Sequence, residues 1–469
     1  MRSALASLAL CAALIAAPAH AFCGFYVSSA GGQLFNDATM VTLMRDGTRT
    51  VLGMQNNYRG PPEDFALVIP VPVILQKENV KTLPKGVFER IDALASPRLV
   101  EMYTDQVPCN MPSRAMAGAS MDDEKSAAMP RDLGVKVEAT FSVGEYDIVI
   151  LSAKDALGLD SWLKENKYKI PDQAAPLLQP YVQNNWKFFV AKVNVKKVKF
   201  VGGVAVLSPL RFHYDSEKFE LPVRLGLVNS SGSQDLIVHV IARGRYEVAN
   251  RPSVTIPTNL DVKTSVQPVF GAFYADLVER TFKKNPTAAI TEFAWQGALP
   301  PPQSMVDSGI YGVTCDPCPP PHPMDDPLAR FLGADVLPGI KTDAQVAKFA
   351  AEATITRLHL RYTKESLTDD LVFKQVDPIH GGIPGVKATE AAKTNRFQGR
   401  YVIWKRGGNC MGYSGMGNMG GVISSGLAGT NAVMSKKTTL DKPIDELLVT
   451  DIPELDIVAK GKVPAPAPK

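Results

Sequence analysis

The chain has 469 residues, of which 45% are hydrophobic and 21% are charged, so it contains enough apolar material for a sizeable folded core. This length favours two or three folding units. The formal net charge is only +4, and no run of lysine and arginine forms a polybasic patch. The charge pattern therefore gives no support to nucleic-acid binding or to strong attraction by acidic membranes.

The start of the chain has the three parts of a secretory signal peptide. Arg2 supplies the positive end, residues 8–17 form an uncharged apolar stretch, and Ala19 and Ala21 are small residues at the positions that signal peptidase reads. The apolar stretch is too short for a permanent anchor, and no later stretch has the composition of a transmembrane helix. We therefore expect a periplasmic or secreted protein, cleaved between Ala21 and Phe22, with no transmembrane anchor.

Turn-forming residues predict two β-hairpins. One covers residues 40–54 around Asp46-Gly47, and the other covers residues 135–152 around Gly144, since these residues tolerate the positive φ of tight hairpin turns. Apolar spacing predicts the remaining elements. Further strands are predicted at 65–73, 188–195, 221–227, 236–242, 289–295 and 399–404, helices at 86–93, 97–103, 153–167, 172–184 and 270–283, and a helix–strand pair at 343–362.

The predicted strand at 65–73 carries two prolines. Pro70 and Pro72 cannot donate a hydrogen bond to a neighbouring strand. The segment is therefore predicted to be an edge strand, or a strand whose backbone at these positions faces away from a neighbour.

Short strands joined by turns, with few and irregularly placed helices, favour an α+β, β-rich fold rather than a doubly wound parallel fold. We expect mainly antiparallel sheets with a few peripheral helices. The predicted organisation is a signal peptide at 1–21, an N-terminal β-rich part at 22–110, a flexible loop at 111–134, a central β-rich part with helices at 135–300, a Pro/Cys connector at 301–327, a C-terminal helix–strand part at 328–406, and a largely disordered Gly/Met-rich and Pro/Ala tail at 407–469.

Several short phrases of the chain, in the same order, resemble those of one bacterial family. They include FCGFYV at 22–27, RDGTRTV at 45–51, DFALVIPVP at 64–72, PRLVE at 97–101, GEYDI at 144–148, LPVRLG at 221–226 and TRLHLRY at 356–362. Over about residues 22–404 the chain resembles the domain of unknown function 2330 family (DUF2330). The resemblance implies an exported bacterial protein, and it supplies no catalytic residues.

Removal of the signal peptide leaves five cysteines, and an exported protein meets an oxidising compartment. The cysteines are Cys23, Cys109, Cys315, Cys318 and Cys410. Because five is odd, at least one is free, intermolecular or metal-bound. The disulfide candidates are the first four, with Cys410 expected to be the odd one, and the sequence leaves their connectivity open.

Cys315 and Cys318 form a C-x-x-C motif with alternative interpretations. As a redox dithiol, the pair would need the helix N-terminus that lowers a thiol pKa, but three prolines follow it directly. With His322, the pair could instead form part of a zinc or copper site, completed by Cys410 or Asp325. The interpretation that we favour is a structural one, in which both cysteines fix the proline-rich connector to the body.

Arg357, His359 and Arg361 alternate with apolar residues, so a strand would place all three side chains on one face. One interpretation is an anion- or carboxylate-binding strip, because a guanidinium offers a two-pronged donor. We favour the alternative, a solvent-facing side of a half-buried strand with salt bridges to Asp369 and Asp370.

Motifs of the common enzyme classes are missing from the sequence. It contains no G-x-S-x-G, no H-E-x-x-H and no phosphate-binding loop, so we predict no catalytic residues and no cofactor. The expected function is a non-catalytic binding or structural role at the cell envelope, with a ligand or envelope partner that the sequence does not identify. One alternative is a zinc, copper or thiol-redox protein that uses Cys315 and Cys318. Another, ranked last, is a hydrolase whose family-specific site leaves no recognisable motif.

Overall fold

The computed structural model describes part of the chain, in fourteen segments. These are residues 25–28, 35–36, 39–55, 58–59, 65–103, 135–166, 168, 174–201, 204–229, 232–297, 327–386, 388–405, 422–427 and 440–460. The predicted signal peptide, the loop predicted at 111–134, the five cysteines after residue 21 and His322 lie outside the described residues. The predictions of export, disulfides and a metal site therefore stay predictions.

The described residues form seven α-helices and twenty-seven strands, with several short 3-10 helices. The α-helices are α1 (Gly86–Ala95), α2 (Ala156–Glu165), α3 (Ala174–Gln183), α4 (Phe270–Lys284), α5 (Pro327–Leu332), α6 (Asp343–Glu352) and α7 (Ile444–Leu447). The strands are β1 (Phe25–Ser28), β2 (Phe35–Asn36), β3 (Thr39–Asp46), β4 (Arg49–Gln55), β5 (Tyr58–Arg59), β6 (Phe65–Val71), β7 (Val80–Thr82), β8 (Arg98–Tyr103), β9 (Val135–Val143), β10 (Tyr146–Ala153), β11 (Lys187–Val193), β12 (Lys199–Val201), β13 (Val204–Val206), β14 (Leu210–Asp215), β15 (Glu220–Leu221), β16 (Gln234–Ala242), β17 (Arg245–Val248), β18 (Ser253–Thr255), β19 (Leu260–Asp261), β20 (Ala289–Gln296), β21 (Thr354–Tyr362), β22 (Leu371–Val376), β23 (Ile379–Gly381), β24 (Glu390–Ala391), β25 (Arg396–Gln398), β26 (Arg400–Lys405) and β27 (Val422–Leu427).

Three larger sheets organise these strands. An eleven-stranded sheet has the order β24-β23-β25-β20-β21-β16-β3-β4-β14-β7, with β18 paired to β20. A five-stranded sheet has the order β1-β6-β11-β10-β9, and a four-stranded sheet has the order β19-β26-β8-β27. The eleven-stranded sheet draws strands from the N-terminal, central and C-terminal parts, so these three parts share one sheet.

The β-rich fold class is confirmed, but the expectation of mainly antiparallel sheets is only partly right. The eleven-stranded sheet is mixed, because β3 runs parallel to β16, β18 to β20 and β23 to β25. In the four-stranded sheet, β26 runs parallel to both β8 and β19. A hairpin turn recognised in the sequence predicts only an antiparallel pair of strands. Parallel strands are joined through a long connection, so no local sequence pattern indicates their pairing.

The five-stranded sheet packs face to face on the eleven-stranded sheet. Their shared core contains Val41 and Leu52 from the larger sheet and Leu67, Ile148 and Phe189 from the smaller one. Each of these side chains is at most 1% exposed. Alternate residues of each strand point to opposite sides, so the other face of each sheet needs its own cover.

Helices cover both outer faces. On the five-stranded sheet, α2 and α3 pack their apolar sides, including Leu159 and Leu178, against Phe188. On the eleven-stranded sheet, α1, α5 and α6 pack against residues such as Met44 and Ile241. Helix α4 packs with β26, β8 and residues 440–460 in a further cluster. The result is a two-sheet sandwich between helices.

The predicted hairpins are confirmed. Strands β3 and β4 pair in an antiparallel register that ends at Asp46 and Arg49, and Gly47 takes a φ of +58° in the turn. Strands β9 and β10 pair in the same way around Gly144, whose φ is +54°. The positive φ explains why glycine stands at both turns.

The proline-bearing strand β6 is internal to its sheet, so the edge-strand alternative is wrong. Strand β11 pairs with it as far as Val71, but the described pairing with β1 ends at Val68. Pro70 lies beyond that end. Within the described residues, no residue of β1 lies opposite Pro70, so its missing N–H does not interrupt the pairing with β1. Toward β1 this agrees with the second alternative, a backbone that faces away from a neighbour at the proline, whereas on the other side Phe188 of β11 lies opposite Pro70.

Three further predictions need correction. The predicted helix at 97–103 is strand β8, which pairs with both β26 and β27. The predicted strand at 221–227 is a two-residue strand followed by the 3-10 helix Arg224–Asn229. The tail is not largely disordered over residues 440–460, because Leu448 and Ile452 are fully buried against α4. In each case long-range packing outweighs the local pattern.

Candidate functional site

The three basic residues of the predicted strip lie on one face of β21, but this face is not open to solvent. Their neighbours Leu358 and Leu360 point into the sandwich core, so the strip points to the helix-covered side. Arg357 and His359 are 0% exposed, and the Arg361 side chain is 16% exposed. The expectation of a solvent-facing side is therefore wrong for Arg357 and His359.

Seven residues form a continuous line of alternating charge on this face, which we call the charge chain. Its members, in spatial order, are Asp92, Arg357, Glu292, His359, Asp235, Arg361 and Glu279. They come from helices α1 and α4 and from the adjacent strands β16, β20 and β21. Each basic residue contacts two acidic ones.

A β-bulge brings Glu292 into the charge chain. In the pairing of β20 with β21, Thr291 lies opposite Leu358 and Phe293 lies opposite Arg357, so Glu292 is the extra residue. A bulge re-aims the side chain of the extra residue out of the regular alternation. The Glu292 carboxylate is thereby placed between Arg357 and His359.

Arg357 forms the inner end of the charge chain, against α1. Its Nε donates to Glu292 Oε2 at 2.6 Å. Its Nη1 donates to the Asp92 carboxylate and to Ser96 Oγ, the latter at 3.2 Å. One guanidinium therefore joins helix α1 to strands β20 and β21, and its charge is compensated from two sides.

His359 lies at the centre, between two carboxylates. Its Nδ1 lies 3.0 Å from Glu292 Oε1, and its Nε2 lies 3.0 Å from Asp235 Oδ1. The Tyr274 hydroxyl on α4 donates to the same Glu292 oxygen at 2.9 Å. Because both ring nitrogens face acceptors, the geometry favours the doubly protonated imidazolium.

Arg361 forms the outer end. Its Nε and Nη2 donate to the two oxygens of Asp235 at 2.8 and 3.2 Å. Its Nη1 donates to Glu279 on α4, and its guanidinium lies 5.0 Å from the Phe282 ring centroid. The bidentate geometry fixes the guanidinium, and α4 contributes both a carboxylate and an aromatic face.

The electrostatics keep the central members of the charge chain ionised. Burial raises the pKa of Glu292, but Arg357 and His359 outweigh it and hold this pKa at about 2. Burial likewise raises the pKa of Asp235, while hydrogen bonding and attraction from His359 and Arg361 bring it to about 2. Burial lowers the pKa of His359, but its two carboxylates raise it above the ordinary value of 6.5. His359 is therefore the proton-bearing member.

The anions that the strip binds in the structure are side chains of the chain itself. The predicted partners are wrong, since Asp369 and Asp370 make other contacts. Asp370 accepts hydrogen bonds from the Tyr181 hydroxyl at 2.8 Å and from the Val223 N–H at 2.9 Å. The carboxylates that pair with the strip lie far from it in sequence or come from covering helices, so the spacing of the strip carried no signal for them.

A second buried histidine was missed by the sequence analysis. His239 on β16 lies beside Arg357 in the sheet register and is 0% exposed. Within the described ranges, neither of its ring nitrogens has a hydrogen-bond partner. Burial and the nearby Arg357 cation lower its pKa from 6.5 to about 3, so this imidazole is neutral at neutral pH. Its position on the same face became visible only from the strand register.

Two further features with a bearing on function are absent from the described residues. No group of three or more His, Cys, Asp and Glu in them is arranged to hold a metal ion. No helix among them has the length and apolar character needed to cross a membrane.

Comparison with known proteins gives one match. Neither the curated proteins nor the solved structures contain a match to the chain. A family model described as "Uncharacterized protein conserved in bacteria" matches residues 17–374, which is more than half of the chain. The chain therefore belongs to the bacterial DUF2330 family.

Proposed function

We propose that the chain is an exported bacterial protein with a non-catalytic binding or structural role at the cell envelope. The observation that carries this proposal is the closure of the charge chain, in which carboxylates of the protein itself compensate Arg357, His359 and Arg361. The family and the signal-peptide pattern support a bacterial, exported protein.

Burial supports a structural role for these groups. A general acid or base needs to come within hydrogen-bond reach of the substrate. Glu292, Arg357 and His359 are at most 2% exposed and have their partners inside the protein. Their contacts instead tie α1 and α4 to three strands. A buried, fully paired network of this kind fixes one arrangement of the packed elements.

Export can be tested by expressing the full chain in a Gram-negative host. The expected result is a periplasmic or secreted product whose intact mass corresponds to a chain that begins at Phe22. A matched variant, Ala21→Lys, removes the small residue before the cleavage site and should accumulate as the uncleaved precursor. An unprocessed wild-type chain in the cytoplasm would contradict the proposal of export.

The non-catalytic role can be tested with the purified mature protein. A screen against ester and peptide substrates should show no turnover. A turnover that His359→Gln abolishes, while the variant keeps the wild-type circular dichroism spectrum, would assign catalysis to the charge chain and refute the structural role.

A second candidate function is a zinc, copper or thiol-redox protein. The sequence observation that favours it is the C-x2-C-x3-H spacing of Cys315, Cys318 and His322, which offers three soft or borderline ligands. Thiol titration of the denatured protein, before and after reduction, combined with elemental analysis, tests it. Stable oxidation of both cysteines with no bound metal would rule this candidate out and would support the structural disulfides.

A further inference from the structure

Two buried polar side chains lie side by side on the helix-covered face, and neither has a hydrogen-bond partner among the described residues. His239 on β16 is the register neighbour of Thr42 on the parallel strand β3. Both residues are 0% exposed. Across the described part of the chain, both nitrogens of His239 and the hydroxyl oxygen of Thr42 lack a hydrogen-bond partner. Buried polar atoms of this kind are rare in folded proteins, and each needs an explanation.

Many of the groups around His239 and Thr42 are apolar and cannot form hydrogen bonds with them. Along the two strands, the same face carries Met40, Met44 and Ile241, which pack with α1 in one apolar cluster. On its other side Thr42 faces Gly53, where the rings of Phe331 and Phe88 occupy the space of a side chain. Apolar groups therefore flank the pair on the β3 and β4 side, while Arg357 lies beside His239 on the β21 side.

We propose that His239 and Thr42 bind an internal water molecule beneath helix α1. Adjacent strands lie about 4.8 Å apart, and two hydrogen bonds of about 2.8 Å each span up to roughly 5.6 Å. One water can therefore bridge the two side chains. It accepts from one group and donates to the other, since a neutral imidazole has one donor and one acceptor and a hydroxyl has both.

The charges around His239 are already compensated, which favours a neutral molecule, water, as the ligand. Arg357 from β21, Asp92 from α1 and Glu292 from β20 are the charged groups that act on His239, and they already pair with one another. A bridging water pairs the Thr42 hydroxyl and one nitrogen of His239 without adding a charge to this closed set.

A crystal structure of the mature protein tests the proposal directly. The expected result is electron density for a water within hydrogen-bond distance of Thr42 Oγ1 and one nitrogen of His239. Thr42→Ser, which keeps the hydroxyl, should retain this density, and Thr42→Val should lose it. Empty density, or a direct hydrogen bond between Thr42 and His239, would overturn the proposal.

Equilibrium unfolding gives a second, independent test. If the water is present, Thr42→Val removes one of its partners, and the unfolding constant should rise about tenfold. Thr291→Val is the matched control, because Thr291 is 1% exposed and lies opposite Leu358 on the sandwich side, and its hydroxyl has no partner in the described part of the chain. The control should leave the unfolding constant unchanged or lower. An equal response of the two valine variants would count against the water.

Discussion

The substitution Glu292→Gln should destabilise the protein more than a chemically identical change elsewhere in the charge chain. Glu292 is fully buried and accepts from Arg357 at 2.6 Å, from Tyr274 at 2.9 Å and from His359 at 3.0 Å. Glutamine has nearly the same shape but no charge, so Arg357 and His359 lose the anion between them.

The size of the effect follows from burial. Removing one partner of a buried ion pair costs about 3–5 kcal/mol, because the other charge stays buried without compensation. Arg357 keeps its contact with Asp92, and glutamine keeps one acceptor oxygen. The loss should therefore lie near the lower end, at about 3 kcal/mol.

The matched control is Glu279→Gln at the outer end. The Glu279 side chain is 47% exposed, and its partner Arg361 keeps both hydrogen bonds to Asp235. An exposed pair of this kind is worth at most about 1 kcal/mol.

Urea unfolding at pH 7, followed by tryptophan fluorescence, compares the two variants with the wild type. The expected difference between the variants is about 2 kcal/mol. Equal destabilisation of the two, within about 0.5 kcal/mol, would refute the reasoning that burial of the charge chain sets its energetic weight.

Three further predictions concern the two histidines and a glycine. The pKa of His239 is about 3 in the folded protein and 6.5 ordinarily, so the unfolded chain binds the proton more readily. The free energy of unfolding should therefore fall by up to about 1.4 kcal/mol per pH unit below 6.5. His239→Gln should flatten this decline. Urea unfolding between about pH 5 and 6.5, above the pH range in which carboxyl groups titrate, measures it. An unchanged slope would contradict a neutral buried imidazole. The pKa of His359 is raised, so its stabilisation is complete below 6.5 and is lost as the pH rises through its folded pKa. His359→Gln should abolish this alkaline decline in melting temperature, and a decline equal to that of the wild type would assign it to other groups. Gly53→Ala should lower the free energy of unfolding in urea by about 1–3 kcal/mol, because the added methyl group meets Phe331. Gly86→Ala is the control, since the space around Gly86 is open and the free energy should not fall. Equal losses in the two variants would refute the close packing at Gly53.

Elements whose signals are local could be predicted from the sequence. The hairpin of β3 and β4 depends on Asp46 and Gly47, which lie next to each other in the chain and suit its turn. Helix α1 follows from apolar residues at helical spacing, such as Val87, Ile91 and Ala95. These predictions needed no knowledge of the rest of the molecule.

Predictions failed where distant segments decide the structure. Residues 97–103 have no clear strand alternation, yet the neighbouring strands β26 and β27 make them a strand. The tail contains scattered apolar residues, but their burial depends on the surface that α4 offers. No window of the sequence contains both sides of such a contact.

The candidate site divides in the same way. Alternation alone placed Arg357, His359 and Arg361 on one face, and this prediction is confirmed. The sequence did not show that this face is buried or which carboxylates pair with it. Asp92 is 265 residues from its partner Arg357, and Asp235 is 124 residues from its partner His359.

The β-rich class, the hairpins, most helices and the family could be predicted from the sequence, because turn chemistry and apolar periodicity act over a few residues. The burial of the strip, the bulge that places Glu292 within it, and a neighbouring His239 with no hydrogen-bond partner among the described residues depend on the packed structure. Burial and charge pairing arise when whole elements pack together, and that packing sums contacts across the entire chain.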